Sequence, residues 1–189
     1  MLDDEHGFVP DPPGGQPVFK VGVSGVQFVA GHMATFGGTA EPLHGHNYEV
    51  SCEAEGTLTE DAWVVDFIAL KDVLNELAGR LDHRFMLQLQ SRVIQIDDSD
   101  VRAWKLETPS GAEYVFPRSD VIALPVDNST AERLSQWFCE GVWQSLAEQG
   151  VFPDVPVSSE YSQRMNCSAV CAPCGIEASV SAVSFAAST

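Results

Sequence analysis

A chain of 189 residues with 44% apolar content is long enough for one domain with a full core. Its formal net charge of −17, from 27 acidic against 10 basic residues, excludes a phosphate-backbone binder, which needs a basic surface. No apolar run approaches the roughly 20 residues of a membrane helix. The N-terminus, Met1-Leu2-Asp3-Asp4-Glu5-His6, lacks the basic and apolar stretches of a secretory leader, so the cytoplasm is the expected compartment. Five cysteines, an odd number in a long chain, do not read as a disulfide framework.

Residues 1–16 are acidic and rich in Pro and Gly and read as a flexible arm, with 17–189 as a single domain. Alternation then sets in. Phe19, Val21 and Val23 share one parity, whereas beyond Gly25 the apolar parity becomes Val26, Phe28, Ala30 and His32. Gly25 therefore predicts a bulge where the strand changes face, and His32 ends the inward row. Residues 33–42, with Gly37, Gly38 and Pro42, form a loop into a second strand, so the pair reads as an antiparallel hairpin with a long connection. In that second strand His44, His46, Tyr48, Val50 and Cys52 share a parity. Residues i and i+2 of a strand point the same way, so both imidazoles face the apolar side. Such a pair is either satisfied by ordinary hydrogen bonds or chelates a borderline metal such as zinc. A catalytic zinc takes three protein ligands and keeps one position open, and His32 is the candidate third.

Thr57 to Asp61 reads as a turn. Phe67, Leu70, Leu74, Leu77 and Leu81 follow helical spacing, with Asp66 as the N-cap and an end near Leu81, just before Asp82-His83. Residues 91–127 are irregular. Trp104 and Leu106, then Tyr114, Val115 and Phe116 after Pro109-Ser110-Gly111, suggest a hairpin, treated as an insertion. Ser129-Thr130-Ala131-Glu132 is a capping box that opens a second helix, striped by Leu134, Trp137, Phe138, Val142 and Leu146 and stopped by Gly150. From Val155 onward the pattern is β-like but ambiguous. Cys167, Cys171 and Cys174 have the spacing of a radical iron–sulfur motif. That motif belongs early in a larger barrel, so buried thiols or a diverged tail are the expectation here. The order β-β-α-insert-α-β-β gives an α+β fold, with two helices on one face of a small antiparallel sheet.

Five features occur in order: Gly31-His32 near the end of a strand, Leu43-His44-Gly45-His46-Asn47-Tyr48 opening the next, Val64-Val65-Asp66-Phe67 before a helix, Leu81-Asp82-His83 at its end, and Ser129-Thr130-Ala131-Glu132. This combination resembles the 6-pyruvoyltetrahydropterin synthase family, which includes the 6-carboxytetrahydropterin synthases of queuosine biosynthesis. The likeness covers roughly residues 18–90 and 124–160. It implies the tunnelling fold, a four-stranded antiparallel sheet with two helices on one face. It also implies homo-oligomers, trimers whose sheets close into a barrel and which stack as hexamers, with active sites between subunits.

By motif match the resemblance makes His32, His44 and His46 zinc ligands, Asp82-His83 a catalytic pair, and 7,8-dihydroneopterin triphosphate the substrate class. Ser129 and Thr130 would flank the pterin. Glu160 would anchor its amino group and ring NH, with Glu177 as the competing choice. The family places a catalytic Cys in the loop before His44, where Gly37-Gly38-Thr39-Ala40-Glu41-Pro42-Leu43 holds none. Glu41 resembles the variant in which Glu replaces that Cys, which is associated with cleaving the side chain to 6-hydroxymethyl-7,8-dihydropterin. A buried carboxylate is a competent general base; a solvated loop Glu is the plain alternative. The expected function is thus a zinc-dependent pterin synthase-like lyase. Two alternatives stand, a 6-carboxy-5,6,7,8-tetrahydropterin synthase and a zinc- and pterin-binding protein without catalysis. Met33 stands where the family often has Arg.

Overall fold

The computed structural model describes residues 18–151, 164–171 and 176–181. The expected arm over 1–16, Glu160 and Cys174 therefore lie outside the described residues. The chain runs β1 (Phe19–His32), β2 (Thr35–Phe36), β3 (Thr39–Ala40), β4 (His44–Gly56), α1 (Phe67–Leu81), β5 (Arg84–Gln88), β6 (Gln95–Asp97), β7 (Ala103–Glu107), β8 (Glu113–Pro117), β9 (Val121–Leu124), α2 (Ala131–Glu148), β10 (Arg164–Cys171) and β11 (Ile176–Ser181).

β1 and β4 form a long antiparallel hairpin, from Phe19 opposite Gly56 to His32 opposite His44. Its register shifts between Val23 and Val26, so Ser24 and Gly25 together stand against Ser51. Gly25 sits at φ +79°, a conformation that costs a residue with a Cβ about 1–2 kcal/mol. This is the bulge that the parity switch calls for. Val23 is buried before it, and Val26, Phe28, Ala30 and His32 after it. Without the extra residue, the upstream and downstream halves of β1 could not both face the core.

α1 begins where Asp66 accepts hydrogen bonds from the N–H groups of Ile68 and Ala69, at 2.8 and 3.2 Å. Its buried stripe is Leu70, Val73, Leu74, Leu77, Ala78 and Leu81. Phe67, assigned to that stripe by spacing, is instead exposed in the first turn. α2 buries Leu134, Ser135, Phe138, Cys139, Val142 and Leu146. The two helices touch at Gly141, where a Cβ would lie 3.0 Å from Leu77 Cδ1. Both helices pack against the sheet face that carries Val26, Phe28, Val50 and Cys52. Cys52 and Cys167 face each other across β4 and β10, buried, with their sulfurs 2.9 Å apart. Among the described residues, no helix is long and apolar enough to cross a membrane.

The sheet departs from the expected four antiparallel strands. Among the described residues it has six, in the order β11-β10-β4-β1-β5-β9, with β5 parallel to β1 and β9 parallel to β5. The expected hairpin insertion is a three-stranded meander, β6-β7-β8, and residues 121–124 leave it to join the main sheet. These strands are three to five residues long, too short for alternation to be distinguished from loop. Their burial explains the topology. Leu106 and Ile94 pack with Met33, Phe85, Leu87 and Val121 into a second core. Met33, only 1% exposed, thus anchors the insertion rather than offering a side chain to solvent.

Candidate metal centre and active site

The β1–β4 hairpin brings three imidazoles together at its open end. One ligand nitrogen from each of His32, His44 and His46 lies within 4.8 Å of the others, and the ring centroids stand 4.5 to 5.1 Å apart. Parity places all three on the helix-covered side of the sheet, and antiparallel pairing sets His32 opposite His44.

The tautomers follow from the partners. A carbonyl oxygen can only accept, so the His32 Nδ1–H donates to Ser129 O at 3.0 Å, with Ser129 Oγ at 3.1 Å. His44 Nδ1–H likewise donates to Pro42 O at 2.7 Å. Both Nε2 lone pairs are therefore left for another partner. His32 Nε2 is buried and meets no hydrogen-bond partner among the described residues. Burial, and after it the charge on His44, push the His32 pKa from the ordinary 6.5 down to about 4. His46 is lowered too, first by burial and then by His44. A neutral imidazole with an orphaned, converging lone pair is what a metal ligand requires, and its other nitrogen is held as metal-binding histidines are. These residues fit a metal such as zinc.

Glu41 stands at the rim, with Oε2 3.8 Å from His44 Nε2 and its side chain 53% exposed. The loop that carries it is ordered. β2 and β3 pair across Gly37 and Gly38, both at positive φ as a two-residue hairpin turn demands. The Glu41 N–H then bonds Ala34 O at 2.9 Å.

Asp82 and His83 are a bonded pair: His83 Nδ1–H donates to Asp82 Oδ2 at 2.9 Å. Asp82 Oδ1 accepts from Val29 N–H at 2.9 Å, and the His83 N–H donates to Val29 O at 2.7 Å. The Val29 N–H, and after it the His83 ring, hold Asp82 below the usual carboxylate range. His83 sits at φ +57°, a strained conformation for a non-glycine residue, secured by these bonds to β1. Its ring is 79% exposed and lines an open depression of about 230 Å³ with Val29, Ala30, Gly31, Gly45, His46 and Asn47. Val29, Gly31, Gly45 and Asn47 have the parity opposite to the histidine cluster, whereas Ala30 and His46 share it.

Ser129 has a different partner from the one its motif suggests. The N-cap of α2 is Thr130, and the Ser129 hydroxyl, in a residue only 1% exposed, goes to His32. The capping-box spacing could not reveal this, because His32 is ninety-seven positions away. Sequence reasoning missed Asn128 altogether. Its side chain bonds Thr35 at both N–H and O, at 2.9 and 2.8 Å. Glu177 lies on β11 opposite Val170, with its side chain outside the description. Cys52 is eight residues along β4 from His44, about 26 Å of strand, whereas Cys171 on β10 pairs with Tyr48, two positions along β4 from His46, with its side chain outside the description.

The 6-pyruvoyl tetrahydropterin synthase family model matches residues 23–166. A Methanocaldococcus jannaschii protein, named a putative 6-carboxy-5,6,7,8-tetrahydropterin synthase, is 30% identical over 129 residues, 67% of this chain and 77% of its own. The solved Plasmodium falciparum 6-pyruvoyl tetrahydropterin synthase superposes with a TM-score of 0.75 at 27% identity, covering 87% of this chain and 98% of that one. A Plasmodium vivax 6-pyruvoyltetrahydropterin synthase, described as a catalytic-residue variant with glutamate changed to alanine, gives 0.76 at 24% identity over 88% and 99%. Motif order, fold and family match agree, and the chain belongs to the 6-pyruvoyl tetrahydropterin synthase family.

Proposed function

We propose that the chain is a zinc-dependent lyase of the tetrahydropterin synthase type acting on 7,8-dihydroneopterin triphosphate. The observation that carries this reading is the buried, partnerless Nε2 of His32 converging with His44 and His46, with the Glu41 carboxylate at the rim. Zinc, when bound, supplies Lewis acidity toward the hydroxyls of the substrate side chain. Glu41 takes a proton from that side chain. A Plasmodium vivax protein of this fold is described with glutamate as a catalytic residue, so the fold accommodates a carboxylate in such a role. His83, oriented by Asp82 through Nδ1, presents Nε2 to a proton in transit. Ser129 holds His32 in its ligating tautomer, Thr130 flanks the pterin, and Glu160 anchors it. The Asp82–His83 pair comes to the cluster from a neighbouring copy in a homo-oligomer, and the enzyme works in the cytoplasm.

For the product, the name of the Methanocaldococcus relative favours 6-carboxy-5,6,7,8-tetrahydropterin. The second reading, cleavage to 6-hydroxymethyl-7,8-dihydropterin, rests on Glu41 standing where the family has Cys. The test is to incubate zinc-loaded protein with 7,8-dihydroneopterin triphosphate and to separate the oxidised, fluorescent products by chromatography. A 6-carboxypterin supports the first reading and 6-hydroxymethylpterin the second. No product, with zinc and substrate both bound, leaves a pterin-binding protein without catalysis.

A further inference from the structure

The two residues that precede α2 each reach a different half of the site. Ser129, buried, gives both its carbonyl and its hydroxyl oxygen to His32 Nδ1. Asn128 turns the other way. Its Oδ1 accepts from Thr35 N–H at 2.9 Å and from Ser129 N–H at 3.0 Å, and its Nδ2 donates to Thr35 O at 2.8 Å. One amide thus reads both backbone groups of Thr35 and holds its own neighbour in place. Thr35 begins the β2–β3 hairpin, whose far end returns Glu41 to Ala34 O. Within that loop Phe36 is 85% exposed, and Gly37 and Gly38 would meet nothing within 4 Å if they carried a Cβ. The Asn128 bonds hold the base of the hairpin at Thr35, and Ala40 packs beside them on the second core, while the tip at Phe36 to Gly38 stands clear.

We propose that Asn128 and Ser129 are positioning residues that set the base-bearing loop and the metal cluster in register from a single point, the start of α2. Ser129 acts through His32 and Asn128 acts through Glu41. The inference rests on the reading of the cluster as a metal site and of Glu41 as the base, but two of its three tests need no substrate.

The first test titrates cobalt(II), followed by its d–d absorption, into the metal-free protein. Ser129→Ala keeps the carbonyl acceptor and loses the hydroxyl, so binding weakens about tenfold, the low end for a group that orients a ligand. Ser129→Thr restores it. Asn128→Asp, which keeps the oxygen that accepts from the Ser129 N–H, stays within twofold of the parent. The second test is amide hydrogen exchange. Asn128→Ala and Asn128→Asp both speed exchange across residues 34–42 and leave the β1 and β4 amides unchanged. The third is turnover at saturating metal. Asn128→Ala lowers kcat at least tenfold, and the Asn128→Ala, Glu41→Ala double variant is no slower than Glu41→Ala alone. Unchanged exchange in the loop, or an Asn128→Asp variant that weakens cobalt binding as much as Ser129→Ala does, overturns the proposal. A parent protein that forms no product defeats the catalytic reading alone, since the titration and exchange results stand without it.

Discussion

His32 meets two demands at once. Its side chain is buried deeply enough to stay neutral, yet its Nε2 has no protein partner among the described residues. Burial without a partner costs stability unless something binds there. The pH dependence follows. In the unfolded chain His32 takes up a proton near 6.5, whereas in the folded protein it resists until about 4. The folded state therefore binds fewer protons in this window. His32 adds no pH-dependent penalty above the upper value, and a penalty on the folded state grows as pH falls toward the lower one. Melting temperatures of the metal-free protein should decline from pH 7 to pH 4, and His32→Gln should flatten that decline. At the rim, Glu41→Gln keeps the shape and removes the basic oxygen. Turnover should fall about 10²–10⁴-fold, the usual weight of a general base, while zinc affinity by chelator competition stays within twofold. Full activity in this variant would remove Glu41 from the mechanism.

At the level of elements, two local devices set the geometry of the site. The first is the bulge at Gly25, which turns the second half of β1 over so that His32 shares a face with Phe28 and Ala30. Gly25→Val must enter the φ +79° conformation or flatten the bulge, and urea unfolding should show a loss of at least about 1–2 kcal/mol. The second is the cap at Asp66, which accepts two N–H groups at the start of α1. Asp66→Ala should cost about 1 kcal/mol by the same measurement. Both devices are legible in the residue pattern, since a parity switch and a helical stripe preceded by Asp are local signals. Phe67 shows where such signals stop. Its spacing fits the stripe, but the first turn of α1 lies beyond the edge of the core, and the ring is left exposed.

On the scale of the whole molecule, the position of the Asp82–His83 pair is the informative feature. It hangs from Val29, on the depression that His46 of the histidine cluster also lines. If each site takes Glu41 from one protomer and His83 from another, two inactive variants should complement each other. Glu41→Ala and His83→Ala, unfolded together and refolded as a mixture, should recover about a quarter of parental activity, the share of sites assembled from two intact halves under random closed association. A mixture no more active than its parents would place all catalytic groups within one protomer. The insertion makes a separate point at this scale. Its meander closes a second core over Met33, Phe85 and Leu87, so its apolar residues serve packing on the far side of β5.

The residue order alone determined the α+β class, the two helices with their faces, the bulge, and the row that ends in three histidines. Those features depend on period and backbone geometry over a few neighbours, which any local stretch displays. Tertiary structure alone decided that β5 and β9 extend the sheet in parallel, that Met33 is a core residue, and that Ser129 serves His32 rather than a helix cap. A bond between residues ninety-seven positions apart exists only once the core has brought α2 against the end of β1, and no local pattern encodes that approach.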